Sequence, residues 1–196
     1  MSKIIWIPTA VIGLIALIIL AMSFTSKGIE TPEYKVLKNI EDVEIRLYPN
    51  MIVAKTALQG NSFDKQGSNG FRTIAGYIFG GNDKNQKIAM TSPVVMSIGD
   101  SATMYFVMPK SYKQSDLPTP SSPQVKIIEE SAKTLAVISY GGFSSDEKIE
   151  NYRTKLAAVL QKNEMKTKGD FMFMGYNAPW DVIDRKNEVA IEVIVD

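Results

Sequence analysis

From Val43 to Tyr48, apolar Val43, Ile45 and Leu47 alternate with Glu44, Arg46 and Tyr48, the period of a half-buried strand that stops at Pro49-Asn50. Met51 to Leu58 reads as a second strand, and the short turn between them predicts a hairpin. After Gly60-Asn61-Ser62 the period lengthens. Phe63, Gly67, Phe71, Ile74 and Ile78 fall at helical spacing, with Ser62 placed to cap the helix. Gly67 and Gly70 weaken that helix by up to ~1 kcal/mol each relative to Ala, so tertiary packing must hold it. It ends at Gly80-Gly81, where a residue free to take positive φ is needed. Lys87 to Ile98 and Ala102 to Met108 predict a strand pair joined through Gly99-Asp100. Both faces of Met104 to Met108 are apolar, as in a central strand covered on both sides.

The Pro/Ser-rich stretch Ser111 to Pro123 marks the midpoint, and the second half then repeats the order of the first. Val125 to Ile128 and Thr134 to Tyr140 are strands. A helix runs from about Ser145 to Asn163, with Ile149, Tyr152, Leu156, Val159 and Leu160 on one face and Ser144 and Glu147 in capping-box spacing. Phe171 to Tyr176 is an apolar strand. In the last strand Val189, Ile191, Val193 and Val195 face inward, while Glu188 and Glu192 face out. Each half reads strand, helix, strand, strand. The fold class is α+β: a distorted, mostly antiparallel β-barrel-like sheet with two helices and two pseudo-repeated halves.

The amino-terminal stretch is of another kind. Ile4 to Phe24 carries no charge, and its 21 residues span roughly 31 Å as a helix, about one hydrocarbon core. We read residues 1–27 as a transmembrane signal-anchor with the start of a linker, and 28–196 as an extracytoplasmic domain. A cleaved signal peptide is the rival reading, although its apolar core would usually be only about 7–15 residues.

Composition narrows the chemistry. The chain of 196 residues has a formal net charge of +1, so no field of one sign argues for nucleic acid. His and Cys are both absent, which excludes disulfides, thiol nucleophiles, Cys/His zinc sites and His-dependent triads. Glu129-Glu130 and Asp146-Glu147 are adjacent in sequence, and neighbours on a strand or helix point apart, so neither pair makes an acid/base dyad. No catalytic constellation is recognisable.

Several short motifs occur in one order: Tyr48-Pro49, Gly80-Gly81-Asn82, Met90-Thr91-Ser92-Pro93-Val94, Phe106-Val107-Met108-Pro109, Gly141-Gly142-Phe143, Gly175-Tyr176-Asn177-Ala178-Pro179 and Arg185-Lys186-Asn187-Glu188-Val189. Each alone is weak. As an ordered set from about Pro32 to Val195 they resemble the SOUL/heme-binding protein family. The resemblance implies a distorted barrel of two pseudo-repeated halves and non-covalent binding of heme or a related tetrapyrrole. It also extends to the ligand-binding domains of gyrase-inhibitor-like and multidrug-sensing regulators.

Heme is an apolar plate with two carboxylates on one edge, so a site needs an apolar face, cations at its rim and, optionally, an axial donor. A His-ligated mode is excluded here, leaving Tyr, Met or Lys as donors, or a hydrophobic cleft beside the first helix with no firm axial bond. For the cleft mode, the resemblance points to Phe71, Arg72, Ile74, Ala75 and Ile78, with Met90 and Tyr176. The plainer reading of Phe71, Ile74 and Ile78 is core packing, and that of Arg72 a solvated charge. Three rivals to a membrane-anchored heme binder remain: a binder of another amphipathic small molecule, an enzyme, and an interaction module at the membrane surface.

Overall fold

Two helices and nine strands carry the core in a computed structural model, which describes residues 29–99, 102–178 and 180–195. The strands are β1 (Lys35–Ile40), β2 (Val43–Tyr48), β3 (Met51–Ala57), β4 (Val94–Ser97), β5 (Thr103–Val107), β6 (Lys126–Glu130), β7 (Lys133–Gly141), β8 (Thr167–Gly175) and β9 (Lys186–Val193). The helices are α1 (Phe63–Ile78) and α2 (Asp146–Lys162). All nine strands form one curled sheet in the order β1-β2-β7-β9-β8-β4-β5-β3-β6, with every strand pair antiparallel.

That order makes the internal repeat visible. The run β3-α1-β4-β5 and the run β7-α2-β8-β9 each place their second strand beside the other's, so β7-β9-β8 meets β4-β5-β3 across the β4–β8 pair. Over that junction the two helix N-termini come together and cap one another. Ser62 is the N-cap of α1, and its hydroxyl accepts from the Lys65 amide. The Asp146 carboxylate, in the first turn of α2, accepts from the Ser62 hydroxyl and the Phe63 amide, both at 2.6 Å. In return Asp64 of α1 accepts from the Asp146 amide at 3.2 Å. Each carboxylate thereby satisfies otherwise orphaned amides at the positive end of the opposite helix.

Alternation along the strands separates two cores. Met104, Phe106 and Met108 join Ile74, Ile78, Leu156 and Leu160 on the face covered by the helices. Tyr105 and Val107 join Val53, Val95, Val137, Met174 and Ala190 on the other face, which the curl of the sheet buries without a helix. The expectation that this strand is covered on both sides is met.

Several expectations are corrected. β2 and β3 do not pair: β2 lies between β1 and β7, and β3 between β5 and β6. The hairpin is instead β1–β2, closed at Glu41 with φ of 55°. β1 carried no periodic signal because it is an edge strand with only Ile40 buried. Where a strand was expected from Lys87, β4 begins only at Val94; before it the Thr91 hydroxyl donates to the Val107 carbonyl and the Ser92 hydroxyl to that of Tyr176. The N-cap of α2 is Ser145, not Ser144, whose hydroxyl lies 3.0 Å from that of Tyr140. Glu188 in β9 is fully buried, and Val195, two residues past the strand's end, is exposed, each the reverse of the predicted pattern. Among the described residues no helix is long and apolar enough to cross a membrane, and the proposed anchor Ile4 to Phe24 lies outside them.

Candidate functional site

Gly70 decides how closely α1 approaches the sheet. A Cβ there would sit 2.6 Å from Leu58 Cδ2 and 3.0 Å from Met104 Sδ, so the helix packs tightly on β3 and β5 at that turn. On the flank facing β6 the same turns present Gln66, Asn69, Arg72 and Thr73 to a groove of about 830 Å³. Its other wall comes from Lys55 to Gln59 of β3 and beyond, Thr103 of β5, and Pro123, Gln124, Lys126 and Ile128 around β6. This volume lies within the range of small-molecule sites.

The groove's electrostatics are one-sided. Three cations line it, Lys55, Arg72 and Lys126, and no Asp or Glu does. Lys55 is paired with Glu130 at 3.3 Å. Arg72 and Lys126 form no ion pair among the described residues. Arg72 is held at the rim by its own helix, donating to the Asn69 side-chain oxygen at 2.9 Å and to the Ser68 carbonyl at 3.2 Å. Apolar Leu58, Ala57 and Ile128 line the groove alongside the cations, a combination that suits an amphipathic anion.

The residues singled out from sequence do not gather in one place. Arg72 lines the groove. Ile74, Ala75 and Ile78 are buried beneath the helix in the core, and half-buried Phe71 packs on Phe106 with ring centroids 5.3 Å apart. Met90 is partly buried against the same core. Tyr176 lies on the other face of the sheet, packed against the core that carries no helix.

There Tyr176 belongs to a buried charged network. Glu188, with no exposed surface, receives two hydrogen bonds from the Arg46 guanidinium at 3.0 Å each and one from the Tyr176 hydroxyl at 2.6 Å. Ser139 donates to it at 3.0 Å, and the Lys186 ammonium lies at the same distance. Burial by itself would raise the Glu188 carboxyl. The bonds from Arg46 and Tyr176, with the charges of Arg46 and Lys186, outweigh it and hold the group below the usual carboxylate range. Burial, then the Glu188 charge and the bond to it, push the Tyr176 phenol far above its ordinary value. Burial also pushes Tyr48, beside Arg46, up to about 12. These phenols keep their protons at neutral pH, so none is a ready anionic donor to a metal.

Sequence reasoning missed this network because period-two alternation identifies two faces but not that both are buried. One signal was available: Glu44, Arg46 and Tyr48 on β2, and Glu188 on β9, are charged or phenolic residues on strands otherwise rich in Val and Ile.

Residues 29–192 match a family model described as SOUL heme-binding protein. Among curated relatives, Heme-binding protein 2 of Mus musculus is 30% identical over 175 residues, covering 83% of this chain and 85% of that protein. Heme-binding protein 1 of Xenopus laevis is 25% identical over 174 residues, covering 83% and 91%. Of solved structures, the EcmrR C-terminal domain superposes with a TM-score of 0.60 at 11% identity, covering 83% of this chain and 99% of that one. A hydrolase from Listeria innocua superposes with a TM-score of 0.55 at 10% identity, covering 81% and 94%. At such identities the structural likeness speaks for the fold.

Proposed function

We propose, since this chain belongs to the SOUL heme-binding protein family, that it binds heme or a related tetrapyrrole non-covalently in the groove between α1 and β6. The observation that carries this reading is a groove of about 830 Å³ with three cations and no carboxylate on its walls. Arg72 and Lys126 would hold the two propionates, and Leu58, Ala57 and Ile128 would lie against one face of the macrocycle. Bound heme would supply an iron centre. The chain's part is to shield one face of the plate and neutralise its carboxylates, as a buffer or carrier does. No axial bond is required of the protein: His and Cys are absent, and Tyr176 is engaged with Glu188 on the far side of the sheet.

A second reading is favoured by the amides Gln59, Gln66, Asn69 and Gln124 around the same groove. They suit an amphipathic anion with more hydrogen-bonding groups than a porphyrin offers. Hemin titration separates the two. In the first reading hemin saturates one site, and Arg72→Glu with Lys126→Glu weakens it by roughly tenfold or more, about 1.4 kcal/mol or above. In the second, hemin binding is weak and indifferent to both changes.

The uncharged run Ile4 to Phe24 we read as a membrane anchor that holds this binding domain at an extracytoplasmic surface. Flotation of the full chain with lipid vesicles after an alkaline wash tests it; recovery in the soluble fraction would count against it.

A further inference from the structure

One end of the sheet carries exposed apolar side chains. Phe143 follows β7, and Trp180, Val182 and Ile183 lie in the connection between β8 and β9; all four are between 47% and 59% exposed. The two loops are joined by Arg185. Its guanidinium lies 4.4 Å from the Phe143 ring centroid and donates to the carbonyls of Ala178 and Asp181. Asn187 adds a bond to the Gly142 carbonyl at 2.7 Å, and the Lys148 ammonium bonds the carbonyls of Gly141 and Phe143. The apolar side chains therefore stand on a braced tip.

Where the chain enters the domain says what this tip faces. Glu30 is fixed beside Thr91 and Ser92, its carbonyl accepting from the Ser92 amide at 2.9 Å. The Ser92 hydroxyl in turn donates to the carbonyl of Tyr176, at the start of the tip loop. The entry point thus sits at the base of the tip. Four residues separate Phe24, the end of the uncharged run, from Ile29, and the five extended steps between them reach at most about 17 Å. Any membrane that holds the run lies within that reach of Ile29. Lys148, Arg185 and Lys186 lie at the base of the tip and Lys27 precedes it in the sequence; the exposed carboxylates beside them are Asp184 in the tip loop and Glu147 next to Lys148, and Lys186 is paired with buried Glu188.

We infer that this tip, Phe143 with Trp180, Val182 and Ile183, docks into the headgroup and acyl boundary of a lipid bilayer, with the neighbouring cations at the phosphates. The inference rests on reading Ile4 to Phe24 as an anchor. Aromatic and aliphatic side chains beside basic ones are the composition that favours this interfacial layer. Docking also orients the site. The candidate groove is bounded by Thr103 at the start of β5, whereas Glu30 accepts from Lys110 beyond the end of that strand. A docked tip leaves the groove open to water, away from the lipid.

The chain has two tryptophans, so Trp6→Phe makes Trp180 the only one. The test reconstitutes that full-length variant in phosphatidylcholine/phosphatidylglycerol vesicles with brominated acyl chains. The inference predicts loss of most Trp180 emission to the bromolipid and loss of its quenching by aqueous iodide. Adding Val182→Asp and Ile183→Asp should reverse both while the protein still floats with the vesicles and keeps its thermal midpoint. Flotation with Trp180 open to iodide and untouched by bromolipid overturns the docking and leaves the anchor standing. Protein that does not float defeats both readings. Iodide protection that grows with protein-to-lipid ratio would assign the tip to a second copy of the chain and overturn the lipid assignment.

Discussion

At the scale of single residues, Arg46 and Glu188 are the pair on which the helix-free face depends. Both are buried, and each is the other's main partner. Removing Arg46 takes both guanidinium bonds from buried Glu188 and leaves the part-exposed Lys186 as its remaining cation, so Arg46→Met should cost up to about 3–5 kcal/mol in urea denaturation. Replacing both, as Arg46→Met with Glu188→Leu, should restore much of that loss, since apolar residues of similar size need no partner. Acid gives an independent check. The folded-state Glu188 carboxyl is held below its ordinary value of 4.5, so the unfolded chain binds its proton first as pH falls. Its contribution is complete above about pH 4.5 and is lost progressively below it, through the depressed folded value. Glu188→Gln should therefore flatten the fall in thermal midpoint between about pH 4.5 and 3, relative to the unsubstituted chain. From the sequence, Glu188 read as solvent-facing because Val189, Ile191 and Val193 account for one buried face and nothing local reveals a second. Of the proposed site residues, only Arg72 lines the groove. Helical spacing marks the buried stripe of α1, and a ligand groove lies on the flank of that stripe, where Gln66, Asn69 and Thr73 carry no periodic signal.

At the scale of elements, both helices were legible, because each is amphipathic and each begins at a serine cap. The reciprocal capping by Asp64 and Asp146 was not, since it joins residues 82 apart. Asp146→Ala removes the acceptor of the Ser62 hydroxyl and the Phe63 amide, and should cost about 1–2 kcal/mol in urea denaturation. Hydrogen exchange should accelerate most in the first turn of α1, although the substitution is in α2. Among the strands, the failure was one of partners more than of existence. Pro49-Asn50 looked like a hairpin turn, yet it carries the chain from one half of the sheet to the other. Local sequence specifies that the chain turns; which edge the next strand finds depends on distant strands. Edge strand β1 escaped detection for a related reason, having almost no buried side chain to pattern it.

At the scale of the molecule, the two strand-helix-strand-strand halves build a sheet with a groove at one end and an apolar tip at the other. The halves were legible in element order alone; their junction across β4 and β8 was not, since it pairs strands far apart in the sequence. The family resemblance added the ligand class, and the structure contributes the acid-free groove beside Arg72. The measurement that tests this most directly is titration of hemin into the detergent-solubilised full chain, followed by its Soret band. The account predicts saturable one-to-one binding, weakened roughly tenfold or more by Arg72→Glu with Lys126→Glu and unaltered by Tyr176→Phe. Binding that survives the charge reversals but is lost with Tyr176 would contradict it, and so would hemin uptake no tighter than that of an unrelated protein with an apolar surface.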